Sequence, residues 1–167
     1  MEARILLPQG TPLKRTEQVV EHIKSALGRI NKKLSPAQPG GQVLVEQVVA
    51  KFNENSSANE TGPHVATITA DLLESERRTS RIDDVIAMWR HETGEIADVI
   101  SVKFTESQVG PAGLAFDIRL TGRDLGSLKA AALDLTDWLN GYRGTSNLTD
   151  DLRPGKPELR ISLDHDL

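Results

Sequence analysis

His91-Glu92 opens like the zinc-binding pattern in which two histidines stand four positions apart on one helix face. Position 95 is Glu95, however, so the second ligand is missing. The other histidines, His22, His64 and His165, share no ligand-like spacing with it, and they read as surface histidines; Asp164-His165-Asp166 sits at the very end of the sequence. Cysteine is absent, which removes disulfides, thiolate metal sites and a cysteine nucleophile. Neither standard glycine-rich phosphate loop occurs. Gly122-Arg123-Asp124 at a helix start could hold an anion, and the plainer reading is that Asp124 caps the helix. Asn55-Ser56-Ser57, Asn59-Glu60-Thr61 and Asn147-Leu148-Thr149 match glycosylation acceptors, a pattern too common to assign a role. No convergent acid, base and nucleophile set remains, so no catalytic residue, metal or cofactor is assigned and an enzyme is not expected. Met88 is the only internal methionine, so the thioether cluster expected of a carrier of soft metal ions is missing.

The composition fits a globular domain and not a disordered chain. Hydrophobic residues make up 38%, charged residues 26% and aromatic residues 4% of 167 positions, which implies a core of Val, Ile, Leu and Ala. A net charge of −4, with no basic stripe interleaved with aromatics, speaks against nucleic acid. No apolar run approaches the roughly 20 residues that cross a bilayer. Met1 leads straight into strand-like Ile5-Leu6-Leu7 with no signal peptide, which suggests a piece of a longer chain.

The elements expected to position any site follow from periodicity. A short strand, about Ala3 to Leu7, ends at Pro8. A helix from near Pro12 or Thr16 to Leu34 carries Val19, Val20, Ile23, Ala26, Leu27, Ile30 and Leu34 as one stripe. A β-rich run spans Gln42 to Phe52. The polar tract Asn53 to Pro63 reads as a mobile loop. From His64 a strand alternates Ala66, Ile68, Ala70 and Leu72 against Val65, Thr67 and Thr69. A second helix starts near Ser80, capped against Asp83, buries Ile82, Val85, Ile86 and Trp89, and ends near Gly94. A strand from Asp98 to Thr105 presents Ile100, Val102 and Phe104 together. This β-α-β-β-α-β order predicts an α+β, ferredoxin-like (split βαβ) subdomain over 1–107.

From 108 to 167 the order restarts and stops early. Leu114, Phe116, Ile118 and Leu120 alternate as a strand. A helix from Asp124 to Asn140 lines up Leu125, Leu128, Ala132, Leu135 and Leu139. After a short segment from Asn147 to Leu152, Glu158 to Asp164 alternate as a closing strand. The expectation is an incomplete βαβ unit, the first half of a second subdomain, with unpaired sheet edges.

Several stretches then fall into an ordered series. They are Leu7-Pro8-Gln9-Gly10-Thr11 with Thr16; Asp71-Leu72 and Arg78; Ile86 with Trp89-Arg90 and Gly94; and Gly110-Pro111-Ala112-Gly113. The series continues with Leu120-Thr121-Gly122-Arg123-Asp124-Leu125 and Leu128, and ends at Asp150-Asp151-Leu152-Arg153-Pro154-Gly155-Lys156-Pro157-Glu158-Leu159. In order and spacing it resembles the second-half porter region of resistance-nodulation-division (RND) transporters of the acriflavine-resistance multidrug type. The resemblance implies a periplasmic part of a proton-driven, trimeric inner-membrane pump with an adaptor and an outer-membrane channel as partners. It implies export of hydrophobic or amphiphilic compounds through a cleft between the two subdomains, whose remaining strands would return later in the parent chain. By the same resemblance, Phe52 flanks a loop that separates two drug pockets, and Val102, Phe104 and Glu106 line the cleft. Apolar surface with an acid or two suits bulky cationic amphiphiles. The plainer readings place Phe52 in the core and pack Phe104 against the helix of Ile86 and Trp89. A free-standing ferredoxin-like ligand-binding or regulatory domain is the main alternative.

Overall fold

A computed structural model describes residues 1–107 and 116–153. The stripe of branched and small apolar residues forms helix α1, Leu13–Leu34, entered from the extended Pro12. Val19, Val20, Ile23, Ala26, Leu27 and Ile30 are all buried. Pro12 is pre-set for helix entry by its fixed φ, and Thr16 Oγ1 ties the first turn to the Pro63 carbonyl at 2.6 Å. Strand β1, Glu2–Leu6, lies centrally. It pairs antiparallel with β3, Glu60–Leu72, on one side and with β4, Ser101–Thr105, on the other. Strand β2, Val45–Asn55, pairs with β3 and completes a four-stranded sheet of order β2-β3-β1-β4. Helix α2, Ile82–Thr93, packs beside α1. This is the ferredoxin-like βαββαβ arrangement, each crossover helix lying on the same face of the sheet.

The core lies between that face and the helices. Ala3, Ile5 and Leu7 of the first segment meet Ala66, Ile68 and Ala70 of β3, and Trp89 and Phe104 close the far end. The rings of Trp89 and Phe104 stand edge to face with centroids 5.1 Å apart. Trp89 Nε1 donates to the Ile23 carbonyl at 3.0 Å, so the one polar atom of the buried indole is satisfied.

Three local expectations are corrected. The polar tract is a hairpin and not an open loop: Asn53, Glu54 and Asn55 pair with Gly62, Thr61 and Glu60 across a turn of four residues. Asn53 and Asn59 adopt positive φ (64° and 52°), and asparagine tolerates that conformation better than most residues. Ser80 does not cap α2. The N-cap is Arg81 with no side-chain bond, while Ser80 Oγ accepts from Gln38 Nε2 at 2.9 Å. Gln38 is 3% exposed, and its Oε1 also takes the Thr79 amide, so it knits the turns after α1 to the approach of α2. Strand β4 starts at Ser101 rather than Asp98: Asp98 takes a positive φ of 63°, which turns the chain away from the extended path before the ladder with β1 begins.

In the later part, helix α3 runs Leu125–Asn140, and the Asp124 carboxylate accepts from the Ser127 amide at 2.6 Å as the expected N-cap. None of its residues is buried, and Leu125 and Trp138 are largely exposed. Residues 116–120 form no ladder, and Phe116 and Ile118 are exposed. The expected strand there lacks a partner among the described residues; Leu114 and the closing strand Glu158 to Asp164 lie outside them. The segment after α3 returns to the sheet. At Asn147 (φ 57°) the side-chain amide accepts from Phe104 N at 3.2 Å and donates to Phe104 O at 3.0 Å. It therefore caps the outer edge of β4 as a neighbouring strand would, which blunts an otherwise open edge. Among the described residues no helix is long and apolar enough to cross a membrane.

Candidate ligand-binding site

Alternation along the strands gives the sheet a second face that α1 and α2 do not cover. On it Arg4 stands opposite Lys103, and Leu6 opposite Ser101. Register slips between Phe52 and Asn53, and this bends the β2-β3 hairpin over that face. Asn55, 3% exposed, fixes the bend: its Nδ2 donates to the Ile5 carbonyl at 2.9 Å, and its Oδ1 accepts from the amides of Ser57 and Ala58 at 3.1 and 3.2 Å. The segment after Asn147 closes the opposite side. A shallow depression results, lined by Arg4 and Leu6 from β1, Asn55, Ser57 and Ala58 from the hairpin tip, Ile100, Ser101 and Lys103 around β4, and Thr149, Asp150 and Arg153.

Its charges are ordered. Arg4 is held by Glu2 (Nε to Oε2, 2.8 Å) and donates to Ser57 Oγ at 2.5 Å. Arg153 is paired with Glu60, whose other oxygen lies 2.7 Å from His64 Nε2. Asp150 accepts from Lys129 Nζ at 2.7 Å. Lys103, half-buried, makes no ion pair or hydrogen bond with another described residue. Burial first, and then the guanidinium charges of Arg153 and Arg4, push its ammonium below the usual lysine range. The depression thus combines cations and hydroxyls with the apolar Leu6 and Ile100. Its cations and hydroxyls can meet the charged end of a molecule lying across the face; among the described residues no nucleophile stands there with a base beside it.

Glu60 holds the hairpin to the later segment, and this gives a pH prediction. The hydrogen bond from His64, then the charge of Arg153 and a bond from Gln9, hold its carboxyl below the usual glutamate range against the opposing effect of burial. A carboxyl lowered on folding contributes stability above its unfolded value and loses it as pH falls through the folded one. Thermal melting followed from about pH 6 to about pH 3 should therefore show wild-type stability falling more steeply than that of Glu60→Gln. Parallel curves for the two proteins would contradict the tie.

No protein-family model and no curated protein matches the chain. Among solved structures, the chain is similar to the crystal structure of a heavy metal efflux pump (crystal form II), with a TM-score of 0.62 and 18% identity. The match covers 98% of this chain and 16% of that one, so the chain spans about a sixth of the pump's length. The chain has the fold of part of an efflux pump.

The four cleft candidates, Phe52, Val102, Phe104 and Glu106, do not line the depression. Phe52 pairs with Ala66, and Val102 with Ile5, on the helix-covered face, both partly buried against the core. Phe104 is 4% exposed and packs on Trp89, and Arg90 lies 5.8 Å from its ring centroid. Glu106 is exposed just beyond β4. The residues that do meet at the depression had one legible signal: Arg4 and Lys103 interrupt apolar strands with charge, which marks the face turned away from the core. Nothing local announced Arg153 or Asn55. Of the histidines, His22 Nε2 meets the Thr93 carbonyl at 2.9 Å, His64 serves Glu60, and His91 is exposed. His165 lies outside the described residues.

Proposed function

We propose that this chain is a periplasmic porter segment of a proton-driven RND efflux transporter of the multidrug type. Residues 1–107 would form one complete subdomain and 108–167 the first half of a second. The carrying observation is a likeness over 98% of the chain to 16% of an efflux pump's length. The parent would be a trimer in the bacterial inner membrane, working with a periplasmic adaptor and an outer-membrane channel. The depression, rimmed by both subdomains, is the place where a substrate would be met. Of the sequence-derived candidates, Glu106 is the one exposed enough to reach such a molecule, while Phe52, Val102 and Phe104 would shape the wall from behind.

Hydrophobic or amphiphilic organic compounds suit the site better than metal ions. The pump with the similar fold exports heavy metals by its description. Soft ions call for thiolate or thioether ligands, and this chain has no cysteine and only Met1 and Met88. Among the described residues no group of three or more His, Cys, Asp or Glu could hold a metal.

The test is to express the whole reading frame that contains this sequence in an efflux-deficient bacterium and follow accumulation of an amphiphilic dye. Lower accumulation, abolished when residues 1–167 are deleted, is expected. A frame without membrane-spanning segments, or one that leaves dye and metal-ion levels unchanged, would favour a free-standing ferredoxin-like binding domain instead.

A further inference from the structure

We propose that the depression on the uncovered sheet face is an anion seat, in which Lys103, beside the tethered guanidinium groups of Arg4 and Arg153, takes the carboxylate or phosphate end of an amphiphile. This rests on reading the depression as a ligand site, and it reverses the cationic preference expected from acidic cleft residues. Three observations carry it. Arg4 and Arg153 already have carboxylate partners in Glu2 and Glu60, so they are fixed in place. The one carboxylate among the described lining residues, Asp150, is occupied by Lys129. Lys103 is left half-buried without an anion among the described residues. A half-buried ammonium crowded by two guanidinium groups is unfavourable, and an incoming anion relieves it. Ser57, Ser101 and Thr149 supply hydroxyl donors around the same space, while Ile100, 40% exposed, offers a surface for an apolar tail beside the buried Leu6.

The sign of the pH dependence follows. Bound anion favours the charged form of Lys103, so binding takes up a proton where the free ammonium is partly dissociated. Affinity should fall at alkaline pH, starting below the usual lysine range because Lys103 is lowered in the free protein. Among the described residues the charged groups on that face are Arg4 and its partner Glu2 from β1, Glu60 from β3, and Arg153 and Asp150 from the later segment.

The 167-residue chain is titrated calorimetrically with laurate, with dodecyltrimethylammonium at matched sub-micellar concentration, and with inorganic phosphate. Laurate should bind about tenfold tighter than the cationic amphiphile, and Lys103→Gln should weaken laurate about tenfold, as loss of a charge-assisted contact does. Lys103→Arg should largely restore laurate binding, and Lys24→Gln on the far surface of α1 should leave it unchanged. Equal binding of the two amphiphiles overturns the anion seat and leaves the depression standing as a ligand site. Binding of neither overturns both. Phosphate binding as tightly as laurate assigns the seat to a free anion and removes the tail. Thermal melting of each variant confirms that it is folded.

Discussion

Replacing Phe104 by alanine should destabilise the chain by about 3–5 kcal/mol, among the larger effects a single side chain can have. Phe104 is 4% exposed, it meets Trp89 edge to face at 5.1 Å, and Arg90 lies over its ring. Deleting the ring removes its transfer free energy and opens a cavity that the Trp89 indole cannot fill, because Trp89 Nε1 is tied to Ile23 O. The backbone of Phe104 stays capped by Asn147, so the loss is confined to the side chain. Urea unfolding measures it. In the remaining folded fraction, binding of an amphiphilic dye should be unchanged if the depression is the ligand site. Loss of dye binding with a stability change below about 0.5 kcal/mol, the range of ordinary surface substitutions, would instead return Phe104 to the cleft. Lys103→Gln serves as the opposite control: it removes a crowded ammonium, so stability should hold while ligand binding falls.

That contrast shows where sequence reading reaches and where it stops. The α1 stripe was legible because seven apolar positions at helical spacing admit one buried face, and that face is buried. The strands of the central sheet were legible by alternation. Alternation also identifies two faces on each strand, and only the helices decide which one is covered. On β4 the resemblance points to Val102 and Phe104 as cleft residues, and both stand on the helix-covered face, since apolar residues on a half-covered sheet are drawn first to the core. A shift of one residue exchanges the faces, and the residues left outside are Ser101, Lys103 and Thr105. The hairpin was missed for a different reason. Asn53, Glu54, Asn55 and Glu60 are poor strand formers by local preference, and they are held in a ladder by a backbone bend and by the Asn55 side chain, which a polar composition does not reveal. The Arg153–Glu60 pair joins residues 93 positions apart in sequence, so no local pattern could have joined them.

Asn55→Ala tests how much of the site depends on that side chain. Its amide serves the Ile5 carbonyl, the Ser57 amide and the Ala58 amide from a position 3% exposed to solvent. Alanine removes all three bonds, though the Ala58 amide keeps the Asn55 main-chain carbonyl at 3.2 Å. Water can reach the Ser57 amide, since Ser57 itself is exposed, but the Ile5 carbonyl lies in the centre of the sheet beneath the hairpin. The net cost should therefore exceed that of one exposed hydrogen bond and come to about 2–3 kcal/mol. Because the loss frees the bend rather than the core, hydrogen exchange should accelerate first at Ser57 and Ala58, while the α1 and β1 amides keep their protection. Arg4 then loses its fixed Ser57 partner, and the depression loses one wall. Laurate affinity should fall along with stability. Asn55→Asp separates the two roles: it keeps the acceptor for the Ser57 and Ala58 amides but sets a carboxylate against the Ile5 carbonyl. Its exchange pattern at the tip should stay close to wild type while its stability falls. If both variants melted like wild type, the bend would be held by the ladder alone, and the uncovered face would owe its shape to β2 and β3 rather than to Asn55.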